Sequence, residues 1–176
     1  MDEPSGPSQD ESERAAAERL APLGDAIDLE SFQAVWLLHQ AADAARQFAL
    51  AEVLDDMDVS WTQFEVLWNM WIFGEHDAGW VAQAAMISKS GLTGVLAQLQ
   101  KRQLIMRRTS ELDRRKVLVR LSPKGTAFME RLFPRYNLAE AAFSANLSAK
   151  QKRELVQLLR LMVRSSPPGA GKPTSP

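Results

Sequence analysis

The sequence predicts a mainly α-helical domain with one small β-hairpin, in the order ααααββαα. Three observations predict it. Apolar residues recur at helical spacing over most of residues 28–104. After Leu104 the period changes from 3.6 to 2, where Val117, Val119 and Leu121 alternate with Leu118 and Arg120. Helical spacing then resumes behind Ser122-Pro123. A chain of 176 residues, 45% hydrophobic and 24% charged, suits about one globular domain.

Residues 1–24 read as an acidic, mostly disordered tail, with a short helix available over Glu13–Leu20 before Pro22 and Gly24. Residues 25–165 read as the folded domain, and residues 166–176 as a Pro/Gly/Ser tail. Asp28 or Ser31 can cap a long first helix reaching Leu54, whose stripe includes Phe32, Val35, Trp36, Phe48 and Val53. Its length suits packing against a partner. Ser60 and Gln63 form a capping box, and Phe64, Leu67, Trp68 and Trp71 follow on one face. A short third helix carries Trp80, Val81, Ala84 and Ala85; His76, between Glu75 and Asp77, reads as a solvated loop residue. The fourth helix turns Leu92, Val95, Leu96 and Leu99 inward and shows Gly91, Thr93, Gly94, Gln98 and Lys101 outward. Leu104–Arg108 pairs with Val117–Leu121 around a charged tip. Ser122 caps the next helix with Pro123 at its first position, and Pro134 is expected to kink it. Ser148 and Gln151 box the last helix, which carries Leu155, Leu158, Leu159 and Met162.

Charge is segregated along the chain. Residues 1–30 and 31–80 each carry net −7, residues 81–130 carry +7 and residues 131–176 carry +6. A basic half is the footprint of a surface for a polyanion, or a solvated basic face. Cysteine is absent, which excludes disulfides, thiolate metal sites and thiol nucleophiles. No apolar run is long enough for a membrane span, and the acidic start is unlike a secretory leader. The compartment expected is the cytoplasm. No nucleophile elbow, phosphate-cradling glycine loop or metal-ligand spacing is present, so neither enzyme activity nor a cofactor is expected.

A short helix, a tight polar turn and a second helix followed by a basic hairpin make a helix-turn-helix with a wing. The B-form major groove admits one helix. A helix N-terminus offers N–H groups to a phosphate. Ser88, Ser90 and Thr93 add hydroxyls, Lys89 a charge, and Gln98 an amide that can pair with adenine. The arginines of the hairpin tip suit the negative potential of a neighbouring minor groove.

From about Leu29 to Arg164 the chain resembles the MarR family of winged helix-turn-helix transcriptional regulators. The segment Asp113-Arg114-Arg115-Lys116-Val117-Leu118-Val119-Arg120-Leu121-Ser122-Pro123-Lys124-Gly125 is similar to its wing signature, an Asp-x-Arg, an alternating strand and a Leu-Ser/Thr-x-x-Gly helix start. Val81–Ala84 and Leu99–Ile105 are similar to the flanks of its reading head. The resemblance implies a homodimer joined through the N- and C-terminal helices on a palindromic double-stranded operator, usually as a repressor. It also implies a wing in which Asp113 orients Arg115, with Arg114 as second candidate. Gly91 and Gly94 fall on the reading helix, and Gly94 stands where the family often has arginine. Gln103 stands where it usually has glycine, a departure of small expected effect at a helix end.

The family's inducers imply a small aromatic or phenolic carboxylate effector. Trp36, His39, Trp61, Phe64, Glu65 and Trp68 are the candidate contacts, an aromatic wall with one imidazole and one carboxylate. The same tryptophans read more readily as core and dimer packing. A different class of function also fits the fold: a winged-helix module that binds protein without reading DNA.

Overall fold

The described part of the chain begins with a reciprocal cap. In the computed structural model, which describes residues 8–165, Glu11 N–H donates to Ser8 Oγ at 3.3 Å and Ser8 N–H donates to Glu11 Oε2 at 2.8 Å. This capping box starts helix α1, Gln9–Leu20, four residues ahead of Glu13. A 3-10 turn, Ala21–Ala26, follows. Residues 9–20 are thus helical and residues 21–26 form 3-10 turns broken at Gly24, whose φ is +50°, where composition had suggested a mostly disordered stretch; the cap satisfies backbone donors that composition ignores. The tails 1–7 and 166–176 lie outside the described residues.

Asp28, not Ser31, caps helix α2, Leu29–Ala49: Ser31 N–H donates to Asp28 Oδ1 at 2.9 Å and Ser31 Oγ donates to Oδ2 at 2.6 Å. The helix widens into a π turn, Leu50–Leu54. The chain divides into two compact units, Met1–Ala44 and Ala45–Pro176, with the boundary inside α2.

The second unit contains the helix-turn-helix and the wing. Helix α3, Trp61–Phe73, is capped by the Ser60/Gln63 box. Strand β1 is only His76–Asp77. Helix α4, Ala78–Ala84, is capped by Asp77, whose Oδ1 accepts from Gly79 N at 2.9 Å and Trp80 N at 3.1 Å. Helix α5, Lys89–Lys101, starts at Ser88. The wing strands are β2, Ile105–Thr109, and β3, Val117–Leu121, paired antiparallel from Ile105↔Leu121 to Thr109↔Val117. Helices α6, Pro123–Phe143, and α7, Ala149–Ser165, complete the unit. Pro134 lies within α6, which runs on past it to Phe143.

The sheet has three strands in the order β1-β3-β2, not the two of a simple hairpin. β1 pairs antiparallel with the free edge of β3, His76 opposite Val119 and Asp77 opposite Leu118. His76 is therefore not a solvated loop residue: it is half-buried and stacks on Trp80 with ring centroids 3.8 Å apart. Leu67 and Met70 from α3, Val81 from α4, Leu99 from α5, Val119 from β3, and Met129 and Leu132 from α6 form the core.

Two glycines of the reading head differ sharply in surroundings. An ideal Cβ on Gly94 would meet nothing within 4 Å, so its absence is not a packing requirement. A Cβ on Gly125 would lie 1.9 Å from the Leu104 carbonyl oxygen. Around Gly125 the helix start is knotted to the end of α5. Ser122 Oγ donates to the Gln103 carbonyl at 2.6 Å and accepts from Gly125 N at 2.9 Å, while Ser122 N donates to the Leu104 carbonyl at 3.0 Å. This explains why serine and glycine stand three apart after the wing strand. Gln103, at the same junction, has φ of +61°, the left-handed region that favours glycine. The departure from glycine there is thus a strained position, not a minor change.

Candidate nucleic-acid interface

On α5 the inward stripe is Leu92, Leu96 and Leu99. At about 100° per residue the opposite ridge is Ser90, Gly94, Ala97 and Lys101, and all four are exposed. Ser88 Oγ accepts the cap bond from Gly91 N at 3.1 Å and lies 3.0 Å from Ser90 Oγ. Thr93 Oγ1 donates back to the Lys89 carbonyl at 3.1 Å. Gln98 lies on the flank, where its Oε1 accepts from Gln63 Nε2 at 2.7 Å. Its carbonyl half is therefore engaged within the protein, which weakens the expectation that it pairs with adenine through both ends of the amide.

The wing tip is a turn closed by Lys116 N–H donating to the Asp113 carbonyl at 2.8 Å. Inside it, Arg115 makes three bonds to Asp113: backbone N and Nε each donate to Oδ1 at 3.1 Å, and Nη2 donates to Oδ2 at 3.3 Å. Asp113 is partly covered (30% side-chain exposure) and Arg115 is open (91%). The fork geometry aims the guanidinium from a fixed root. The side-chain and backbone bonds from Arg115 hold the Asp113 carboxyl below its ordinary range. Arg114 stands exposed at the corner of the turn, and Leu112 beside it is fully exposed.

Between α5 and the wing lies a cleft of about 410 Å³, lined among others by Lys89, Thr93, Arg107, Arg115 and Lys116. It brings the predicted residues of the helix and of the wing onto one basic surface. Arg107 was not singled out from the sequence. Its Nε and Nη2 are buried with no hydrogen-bond partner among the described residues, so the guanidinium carries unsatisfied donors at the cleft wall. Strand parity carries the signal, since Ile105 is buried and Arg107 shares its face.

The remaining wing arginines are occupied. Arg108 donates to Glu75 through Nη2 at 2.6 Å and Nε at 3.0 Å, and Arg120 Nε lies 3.8 Å from the same carboxylate. These contacts, the Arg108 hydrogen bonds foremost, hold the Glu75 carboxyl below its usual range. They tie the end of α3 to β2 and β3.

Three of the candidate effector residues come together. Phe64, Glu65 and Trp68 line a cavity of about 380 Å³ together with Phe133, Tyr136 and Glu140 of α6, which sequence reasoning missed. The helical spacing of Phe133, Tyr136 and Glu140 was the available signal. Trp61 packs on Phe64 with centroids 5.7 Å apart and carries the Arg46 guanidinium over its ring at 5.5 Å. Trp36 and His39 belong to the first unit, where Trp36 stacks on Phe32 at 5.9 Å.

Fold and surface together define a winged helix-turn-helix of the DNA-reading type. Residues 59–117 match the model of the MarR family. The chain is 26% identical over 136 residues to the HTH-type transcriptional regulator YwaE of Bacillus subtilis (strain 168), covering 77% of this chain and 80% of that protein. It superposes with a TM-score of 0.67 and 28% identity on BpsR of Bordetella bronchiseptica, whose DNA binding is regulated by 6-hydroxynicotinic acid, over 74% of this chain and 98% of BpsR. It shares the fold of an E. coli MarR variant complexed with operator DNA, with a TM-score of 0.68 and 22% identity over 78% of this chain and 99% of that one. The chain is thus similar to the winged helix-turn-helix transcriptional regulators of the MarR family, whose model its residues 59–117 match. No helix among the described residues is long and apolar enough to cross a membrane.

Proposed function

We propose that the protein is a homodimeric, sequence-specific repressor that acts in the cytoplasm on a palindromic operator and is released by a small aromatic ligand. The observation that carries the DNA reading is the Asp113–Arg115 fork beside the basic cleft. One exposed arginine is held at its root by a partly covered carboxylate, next to a helix whose outward ridge is open. Arg115 enters the minor groove, Ser90, Gly94, Ala97 and Lys101 face the major groove, and Arg107 with Lys89 meets a backbone phosphate. Arg114 is the further candidate of the tip.

Support for the dimer comes from α7, where Leu155, Val156, Leu158, Leu161, Met162 and Val163 are all exposed apolar residues. Two copies would set the reading helices about 34 Å apart, one helical turn of DNA. Support for effector release comes from BpsR, whose DNA binding is regulated by 6-hydroxynicotinic acid, and from the aromatic cavity.

The test is fluorescence-anisotropy titration at fixed salt against DNA from upstream of the protein's own gene and against a scrambled duplex. A preference of about 10³-fold or more supports a sequence reader. Equal, weak binding to both, together with capture of a protein partner through residues 88–116, would replace this reading by the protein-interaction module.

A further inference from the structure

Four rings surround the effector cavity in a closed circuit. Centroid distances are 4.4 Å for Phe64–Tyr136, 6.4 Å for Phe64–Trp68, 4.9 Å for Trp68–Phe133 and 6.3 Å for Phe133–Tyr136. The remaining lining residues are both acids, Glu65 of α3 and Glu140 of α6. No lysine, arginine or histidine lines it. Glu140 accepts from Asn137 Nδ2 at 3.0 Å, a neutral partner. Glu65 feels the positive charge of Arg46, yet burial outweighs that charge and raises its carboxyl above the ordinary range. Tyr136, pushed up to about 12 by burial and then by Glu140 and Glu65, keeps its phenolic proton and can donate.

This chemistry selects against the effector class expected from the family. A carboxylate entering the cavity would face two acids and the negative faces of the rings. A cation would meet both favourably: ring faces attract positive charge, more strongly when water is excluded, and a half-buried carboxylate gains from a counter-charge. We propose that the cavity between α3 and α6 takes a flat aromatic cation, a quaternary or protonated heteroaromatic amine, laid against the rings that line it and neutralised by Glu65 and Glu140. The proposal rests on the effector-responsive reading above and names its ligand class.

The experiment is isothermal titration of the full chain, without DNA, with N-methylquinolinium, quinoline-2-carboxylate and 6-hydroxynicotinate. The cation should bind once per chain, at least about tenfold tighter than either acid. Glu65→Gln should weaken the cation by about tenfold and tighten the carboxylates; Glu140→Gln should act in the same direction. A melting curve matching the parent shows that each variant is folded. Tighter or equal binding of a carboxylate, no heat with the cation, or a cation affinity indifferent to both glutamine variants overturns the proposal. An anisotropy arm with operator DNA separates the two readings. Cation binding that leaves DNA bound sustains this site and refutes effector release.

Discussion

Gly125→Ala should cost the protein a large part of its stability, and the cost can be worked from the junction it occupies. The new Cβ would lie 1.9 Å from the Leu104 carbonyl oxygen and 2.9 Å from the carbonyl carbon. Carbon and carbonyl oxygen ordinarily approach to about 3.3 Å, so the start of α6 and the end of α5 must part by more than about 1 Å. Neither side is a flexible side-chain end. The parting strains the Ser122 N–Leu104 O, Ser122 Oγ–Gln103 O and Gly125 N–Ser122 Oγ bonds together. Overpacking of this kind costs about 1–3 kcal/mol, and losing the cap adds about 1 kcal/mol. A total of about 2–4 kcal/mol is a large share of the 5–15 kcal/mol that holds a typical domain. Urea denaturation at fixed protein concentration measures it, because a dimer's midpoint depends on concentration. Gly94→Ala is the matched control: its Cβ meets nothing, and replacing an exposed helical glycine should add about 1 kcal/mol. A Gly125→Ala midpoint within error of the parent, with an unchanged slope, would refute the close approach inferred at Leu104.

Arg115→Ala should weaken operator binding by about tenfold to a hundredfold while leaving the melting curve unchanged; anisotropy with parent-like affinity would remove Arg115 from the interface. Gln103→Gly should raise stability by up to about 1 kcal/mol by relieving the left-handed backbone, and a lowered denaturation midpoint would contradict that. Leu158→Asp should convert the dimer to monomer by placing an unpaired charge in the α7 interface, and light scattering showing an intact dimer would sink the proposed base. The Asp113 carboxyl is held below its ordinary 3.8 by the Arg115 bonds. The fork's contribution is therefore full above that value and is lost only as pH falls through the lower folded one. At pH 3.8 the Asp113 carboxyl carbon NMR shift should still be mostly that of the carboxylate; a midpoint at or above that pH would show the fork is not formed.

What the sequence by itself determined is what depends on near neighbours. The Ser60/Gln63 box, the Ser122-Pro123 start and the Leu92–Leu96–Leu99 stripe were legible because caps and helical periodicity act within one or two turns. The wing fork was legible for the same reason, since Asp113 and Arg115 are two residues apart. Tertiary structure alone decided the contacts made across long separations. A two-residue strand has no readable alternation, and His76–Asp77 extends only because the edge of β3 offers its backbone groups a partner. Gln98 looked free on a helical wheel, but Gln63, 35 positions earlier, takes its amide oxygen. The rings of α3 supported an aromatic site in sequence; the sign of its charge came from Glu140, which α6 brings against Glu65. Hydrogen bonds and periodicity are written locally, whereas burial and electrostatic surroundings sum over every element that packs nearby. The existence of a reading head could therefore be foreseen, and the chemistry of its neighbouring cavity could not.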